Sequence, residues 1–250
     1  VDQLHAMGFK VMLWVCPFVS PDSPEYRELA KKGYLVTKKG SNDPAVIKWW
    51  NGQSACYDMT NPDAAKYYIN LLKGMQEEYG IDGFKLDAGD NGFYDPRYVS
   101  NFEAGTTPVD QTLAWVKVGA EFPFNEYRAG WRSGGLPIVQ RLGDKDYSWG
   151  AVRSLIPEML AAGLMGYAYT CPDMIGGGQV SHFTNVDRSK LDQELIVRSA
   201  QVHALMPMMQ FSVAPWKVLS AENLQIVLDA AKLHQKFGPY ILECAKRSSK

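Results

Sequence analysis

Short apolar runs that end in charge alternate along this chain with longer stretches of helical periodicity, and no other feature restricts its fold as tightly. FKVMLWV (9–15) follows Gly8 and is stopped by Pro17, and DGFKLD (82–87), LPIVQRLGD (136–144) and MGYAYTCPD (165–173) are built alike. Such runs suit strands buried on both faces of a parallel sheet. SACYDM (54–59) is a weaker strand candidate. Between the runs, TNPDAAKYYINLLKGMQEEYG (60–80) offers Thr60 or Asn61 as a cap, Pro62 at a first helical position and a closing Gly80. SWGAVRSLIPEMLAAGL (148–164), LDQELIVRSAQVHALM (191–206) and AENLQIVLDAAKLHQKFG (221–238) also read as helices. The alternation implies βαβ units around a parallel sheet, and 250 residues suit one α/β barrel. The polar, Gly- and Pro-punctuated segments 17–48, 89–109 and 172–190 follow strand ends, where a barrel builds its active face.

Charge narrows the partners. A formal net charge of -1, with the 26 Lys and Arg scattered, gives no basic footprint for nucleic acid or an anionic membrane. No run of eighteen apolar residues is present, so no membrane segment is expected. No leader is visible. Because the chain opens abruptly on a helix tail, the compartment stays open, a periplasmic or secreted setting included. Cys16, Cys56, Cys171 and Cys244 lie far apart without CxxC spacing, which signals neither a zinc site nor a disulfide framework. GxSxG is absent, and of His5, His182, His203 and His234 only His182 falls in a loop suited to a hydrolase triad.

The carboxylates carry the chemistry. Residues i and i+2 of a strand share a face, so Lys85 and Asp87 point together, and Asp87 at the strand end is a candidate catalytic group with Asp90 beside it. Asp87 can equally be the partner of Lys85 in an interior ion pair, or the cap of the next helix. Asp144 and Asp146 follow the run 136–142, and Asp173 follows 165–171. Three successive strand ends finishing in Asp fit glycoside hydrolysis, which needs one carboxylate to attack and one carboxyl to protonate the leaving oxygen. Trp49, Trp50, Trp131, Trp149 and Trp216 lie in or beside loops, where indole faces can stack on a sugar. The acidic spacings are not those of an EF-hand, and no metal or other cofactor is demanded.

Taken together, FKLDAGD (84–90), RAGWRSGGLPIVQRLGD (128–144), RSLIPEMLAAGLMGYAYTCPDMIGG (153–177) and KWWNG (48–52) resemble glycoside hydrolase family 31 over nearly the whole chain. The resemblance implies a (β/α)8 TIM barrel, an α/β fold, and a retaining, exo-acting α-glycosidase of terminal α-linked hexose. It implies Asp87 as nucleophile and Asp144 as acid/base, with Arg128, Trp50, Lys85, Asp173, Cys16 and Trp131 as substrate-binding or supporting residues. Arg128 and Lys85 are expected to support the charge of Asp87, and burial among acidic neighbours to hold the proton on Asp144. WWNG, SLIP, PDMIGG and MQFSVAPW point within the family to a group linked to α-galactosides, against a family dominated by α-glucosidases and α-xylosidases. Three places depart from the family pattern: Cys16 stands where many members have Asp or Asn, Asp90 where Glu is often found, and MQFS (209–212) in place of Arg-Asn-His.

Measured against the family, the 250 residues are expected to be one catalytic barrel domain with six of eight strands, lacking an N-terminal β-sandwich, the first two strands and C-terminal β-domains. Exposed apolar surface is then expected at 1–16 and 222–237. The partner is a carbohydrate, and oligomerisation would run through the missing domains. The alternative is a barrel that binds carbohydrate or serves as a scaffold without turnover.

Overall fold

The computed structural model describes residues 1–178 and 190–248, in two compact units that divide after Ile138.

In the first unit, helix α1 (Asp2–Ala6) leads into β1 (Met12–Val15), and β6 (Gly83–Leu86) lies parallel between β1 and β8 (Asn125–Tyr127). The connections are helical. Helix α3 (Pro62–Tyr79) starts where Asn61 accepts the Asp63 N–H at 3.0 Å, carries Pro62 at its first position and ends at Gly80, as its sequence requires. Helix α4 (Pro108–Ala120) starts with a reciprocal Thr107–Asp110 capping box. Alternate residues of the strands, Phe84, Leu86 and Tyr127, are buried on the helix side with Trp115 and Phe122. The opposite face carries Lys85 and Glu126, and the chain leaves both strands in charge, at Asp87 and Arg128.

The segments expected to be loops hold structure of their own. Helix α2 (Pro24–Lys32) is capped by Ser23, and the strands β2 (Phe18–Val19), β4 (Ile47–Trp49) and β5 (Gly52–Cys56) form an antiparallel sheet in the order β2-β5-β4. The weak strand candidate at 54–59 therefore belongs to this layer, shifted towards Gly52. A second ribbon pairs β3 (Thr37–Lys38) with β7 (Val99–Ser100). Val36, Ala45, Ile47, Cys56, Tyr94 and Val99 make a core beneath these strands.

In the second unit, β9 (Gln140–Arg141) and β10 (Thr170–Cys171) are parallel, as are β11 (Met174–Ile175) and β12 (Gln210–Phe211). These strands are shorter than the apolar runs that contain them. Helices α5 (Trp149–Leu164), α6 (Gln193–His203), α7 (Pro215–Val218) and α8 (Ala221–Ser248) complete it, with Ile175, Ile196, Val197, Ala200, Ala204, Val227 and Ala230 as core. Helix α8 continues through Gly238 and Pro239, past the end its periodicity suggests. The expected apolar exposure is present: Met7, Phe9 and Trp14 near the start, and Leu228, Leu233 and Phe237 on α8, are exposed. No described helix is long and apolar enough to cross a membrane.

Candidate active site

Adjacent parallel strands place residues of equal register side by side. On the polar face of the first unit this makes a rung of Trp14, Lys85 and Glu126, followed at the strand ends by Cys16, Asp87 and Arg128. In the first rung Lys85 Nζ lies 3.1 Å from Glu126 Oε1. Lys85 is therefore paired across the strands with the residue directly opposite it, rather than in an ion pair with Asp87 two residues along its own strand.

Asp87 is held from several directions. Trp14 Nε1 donates to its Oδ2 at 2.7 Å, the Ala88 N–H donates to Oδ1 at 2.9 Å, and Arg128 Nε lies 3.6 Å from Oδ1. It caps no helix. Arg128 also pairs with Asp90, and its guanidinium sits 4.4 Å from the centre of the Trp50 ring. Trp50 thus clamps Arg128, a stacking that a planar guanidinium favours. Trp50 comes from the turn between β4 and β5, packed near Trp49 and Phe93. The chain can turn away directly after Asp87 because Ala88 and Gly89 both take positive φ, 59° and 78°, and the missing side chain of Gly89 leaves room for Trp115. Half-buried Cys16 completes the rung; burial pushes its thiol up, the Phe18 backbone N–H pulls it down, and the Asp87 charge adds to the rise. Trp131 is exposed, in the turn after Arg128.

The second unit carries its own carboxylates. Arg141, with a side chain only 4% exposed, directs Nη1 to Asp144 Oδ1 at 2.7 Å and to Asp173 Oδ1 at 2.8 Å. Asp173 is fully buried, and its Oδ2 accepts the Lys145 N–H at 2.7 Å. Burial raises Asp173 above the ordinary carboxyl range against the pull of the Lys145 N–H and Arg141. Gly178 packs against this carboxylate so closely that a Cβ there would lie 2.7 Å from Oδ2. Asp173, expected as a substrate-binding or supporting residue, is an internal brace with both oxygens engaged. Asp144 is 41% exposed on its side chain and ion-paired to Arg141, so it is less buried than expected, while the acidic neighbour Asp173 lies across the same guanidinium nitrogen. His203 of α6 approaches the Asp173 carbonyl with Nε2 at 3.1 Å and the Ser199 carbonyl with Nδ1 at 2.7 Å, and burial lowers it below the usual imidazole range. His182 lies outside the described residues.

Sequence reasoning missed Trp14, Glu126 and Arg141. Trp14 and Glu126 were recoverable from register, once β1 and β8 are set beside β6. Arg141 could have been found as a lone charge inside an apolar run, three residues before a strand-end Asp. Among the described residues no group of three His, Cys, Asp or Glu side chains is arranged to hold a metal.

Residues 1–244 match the model of the glycosyl hydrolases family 31 TIM-barrel domain. The chain is 35% identical to the myogenesis-regulating glycosidase of Mus musculus, over 97% of this chain and 35% of that protein. It is 26% identical to a SITS-binding protein of Tetronarce californica, over 91% of this chain and 33% of that one. The structure of a cycloalternan-degrading enzyme from Trueperella pyogenes superposes with a TM-score of 0.83 at 21% identity, over all of this chain and 39% of that one. The chain thus spans about a third of the length of these curated relatives.

Proposed function

Since the chain belongs to glycosyl hydrolase family 31, we propose that it is the barrel of a retaining, exo-acting α-glycosidase that releases a terminal α-linked hexose, α-galactoside or α-glucoside, by double displacement. Asp87 attacks the anomeric carbon as the glycosidic bond breaks, and Asp144 passes its proton to the leaving oxygen. Asp144 then takes a proton from water, which attacks the anomeric carbon and frees Asp87. The observation that carries this reading is the setting of Asp87: a carboxylate at the C-terminal end of a parallel strand, held by an indole N–H, a backbone N–H and a guanidinium. Lys85, Cys16, Trp50 and Trp131 are assigned to the sugar's surroundings, with Arg128 holding the nucleophile.

The test is initial-rate hydrolysis of nitrophenyl α-galactoside, α-glucoside and α-xyloside by the full-length protein, with Asp87→Ala and Asp144→Ala alongside. Activity on one glycoside that vanishes in Asp87→Ala supports the assignment and names the sugar. Folded protein inactive on all three refutes turnover of simple aryl glycosides. A binding barrel without turnover is then favoured, a reading to which the resemblance to a protein named for binding SITS lends weight.

A further inference from the structure

The rung before Asp87 holds a choice that the ammonium of Lys85 has to make. Lys85 and Asp87 stand two residues apart on one face of β6, and the register sets Glu126 of β8 directly beside Lys85. Both carboxylates are within reach. Trp14, from the same rung, already reaches Asp87, its Nε1 donating to Oδ2 at 2.7 Å, and the four-carbon stem of a lysine is long and flexible enough to do likewise. Nζ goes instead to Oε1 of buried Glu126, at 3.1 Å. Asp87 is meanwhile well supplied with donors. A carboxylate offers about four lone-pair directions. Those of Asp87 already meet the Trp14 indole N–H, the Ala88 N–H and, at 3.6 Å, Arg128 Nε, while Arg128 also pairs with Asp90. An ammonium added to this set would take up the direction that remains, in a strong charge-assisted bond.

We propose that Glu126 is a positioning residue that holds the Lys85 ammonium away from Asp87, leaving on Asp87 the lone pair that must bond to the anomeric carbon. Glu126 needs no contact with substrate. Its place opposite Lys85 is fixed by the strand pairing, and a buried carboxylate there is the stronger acceptor for an ammonium on the same face. The Trp14 and Ala88 donors orient Asp87, and Glu126 keeps a further, mobile cation out of that arrangement. This inference rests on the nucleophilic role proposed for Asp87.

The deciding variant is Glu126→Gln in the full-length protein, which keeps shape and removes charge. With only an amide beside it, the ammonium should turn to Asp87, and kcat/KM for the nitrophenyl α-glycoside that the parent hydrolyses should fall about 10- to 100-fold. A fall of less than about threefold overturns the proposal. Lys85→Met is then added as a suppressor. With the ammonium gone, the double variant should be faster than Glu126→Gln by about tenfold, because Asp87 is released. Other contacts of Glu126 are lost with and without Lys85, so only its hold on the ammonium can produce a rise; a double variant no faster than Glu126→Gln overturns the proposal. A parent without hydrolysis refutes the proposed function alone, because a crystal structure of Glu126→Gln still decides the part played by Glu126. Lys85 Nζ on the Asp87 carboxylate supports the proposal, and Nζ still at position 126 overturns it. Should Glu126→Gln not fold, Lys85→Met/Glu126→Met, an apolar exchange of the pair, is compared with Lys85→Met. Equal rates support the proposal, and a further loss of about tenfold overturns it.

Discussion

Replacing Gly89 by alanine tests how the fold delivers Asp87. A Cβ at this position would lie 2.1 Å from Trp115 Cδ1 and 2.8 Å from its Nε1, where carbon atoms settle at about 3.5–4.0 Å. The Trp115 ring has little freedom to retreat. It is fully buried, with Tyr68 at 5.4 Å and Tyr127 at 6.4 Å between ring centres. Holding alanine at φ 78° costs about 1–2 kcal/mol, and forcing a methyl group into a filled core typically costs about 1–3 kcal/mol. A loss of about 2–5 kcal/mol is expected in urea unfolding followed by tryptophan fluorescence, as a lower midpoint at constant slope. Gly92→Ala is the control. No atom lies within 4 Å of a Cβ there, so its effect should stay within about 0.5 kcal/mol. A Gly89→Ala protein as stable as the Gly92→Ala control would refute the packing of Trp115 against the turn after Asp87.

Three further outcomes are expected. Arg128→Lys gives up the planar stack on Trp50 and the fork that reaches Asp87 and Asp90, so kcat/KM should fall about 10²-fold with little change in melting temperature; a fall below threefold would contradict the clamp. Trp14→Phe removes one hydrogen bond to an ionised group, a loss of about 1.5–3 kcal/mol that should lower kcat by about 10- to 100-fold while KM changes little; a change confined to KM would make Trp14 a sugar contact only. Asp82 is held well below the ordinary carboxyl range by Lys10, then by the Val11 N–H and His5. A depressed carboxylate stabilises fully above its unfolded value and loses that contribution as pH falls through the folded one, so protection of the Val11 amide from hydrogen exchange should decline below about pH 4 in the parent but not in Asp82→Asn.

Elements defined by local chemistry were legible. Asn61, Pro62 and Gly80 mark both ends of α3, and Asp87 stands where DGFKLD leads one to look, directly after β6. Structure made by distant pairing was not. Thr37 pairs with Ser100 and Phe18 with Cys56, and polar segments carry no trace of such partners, so 17–48 and 89–109 read as loops. The partner of Lys85 was hidden for the same reason. Lys85 and Asp87 share a face of one strand, but the neighbour that takes the Lys85 ammonium is Glu126, opposite it on the next strand and 41 positions away. Burial was overestimated at Asp144, because two aspartates at strand ends look alike until Asp173 is seen sealed behind Gly178 and Asp144 open beside Arg141.

The most direct test of the central claim is to trap the covalent intermediate. The full-length protein is incubated with a 5-fluoro-α-glycosyl fluoride of the hexose it hydrolyses, digested, and its peptides are weighed. One sugar should be found esterified to Asp87, and none in Asp87→Asn. Hydrolysis of that hexose with inverted product and no labelled peptide, or a label on another carboxylate, would contradict a double displacement through Asp87.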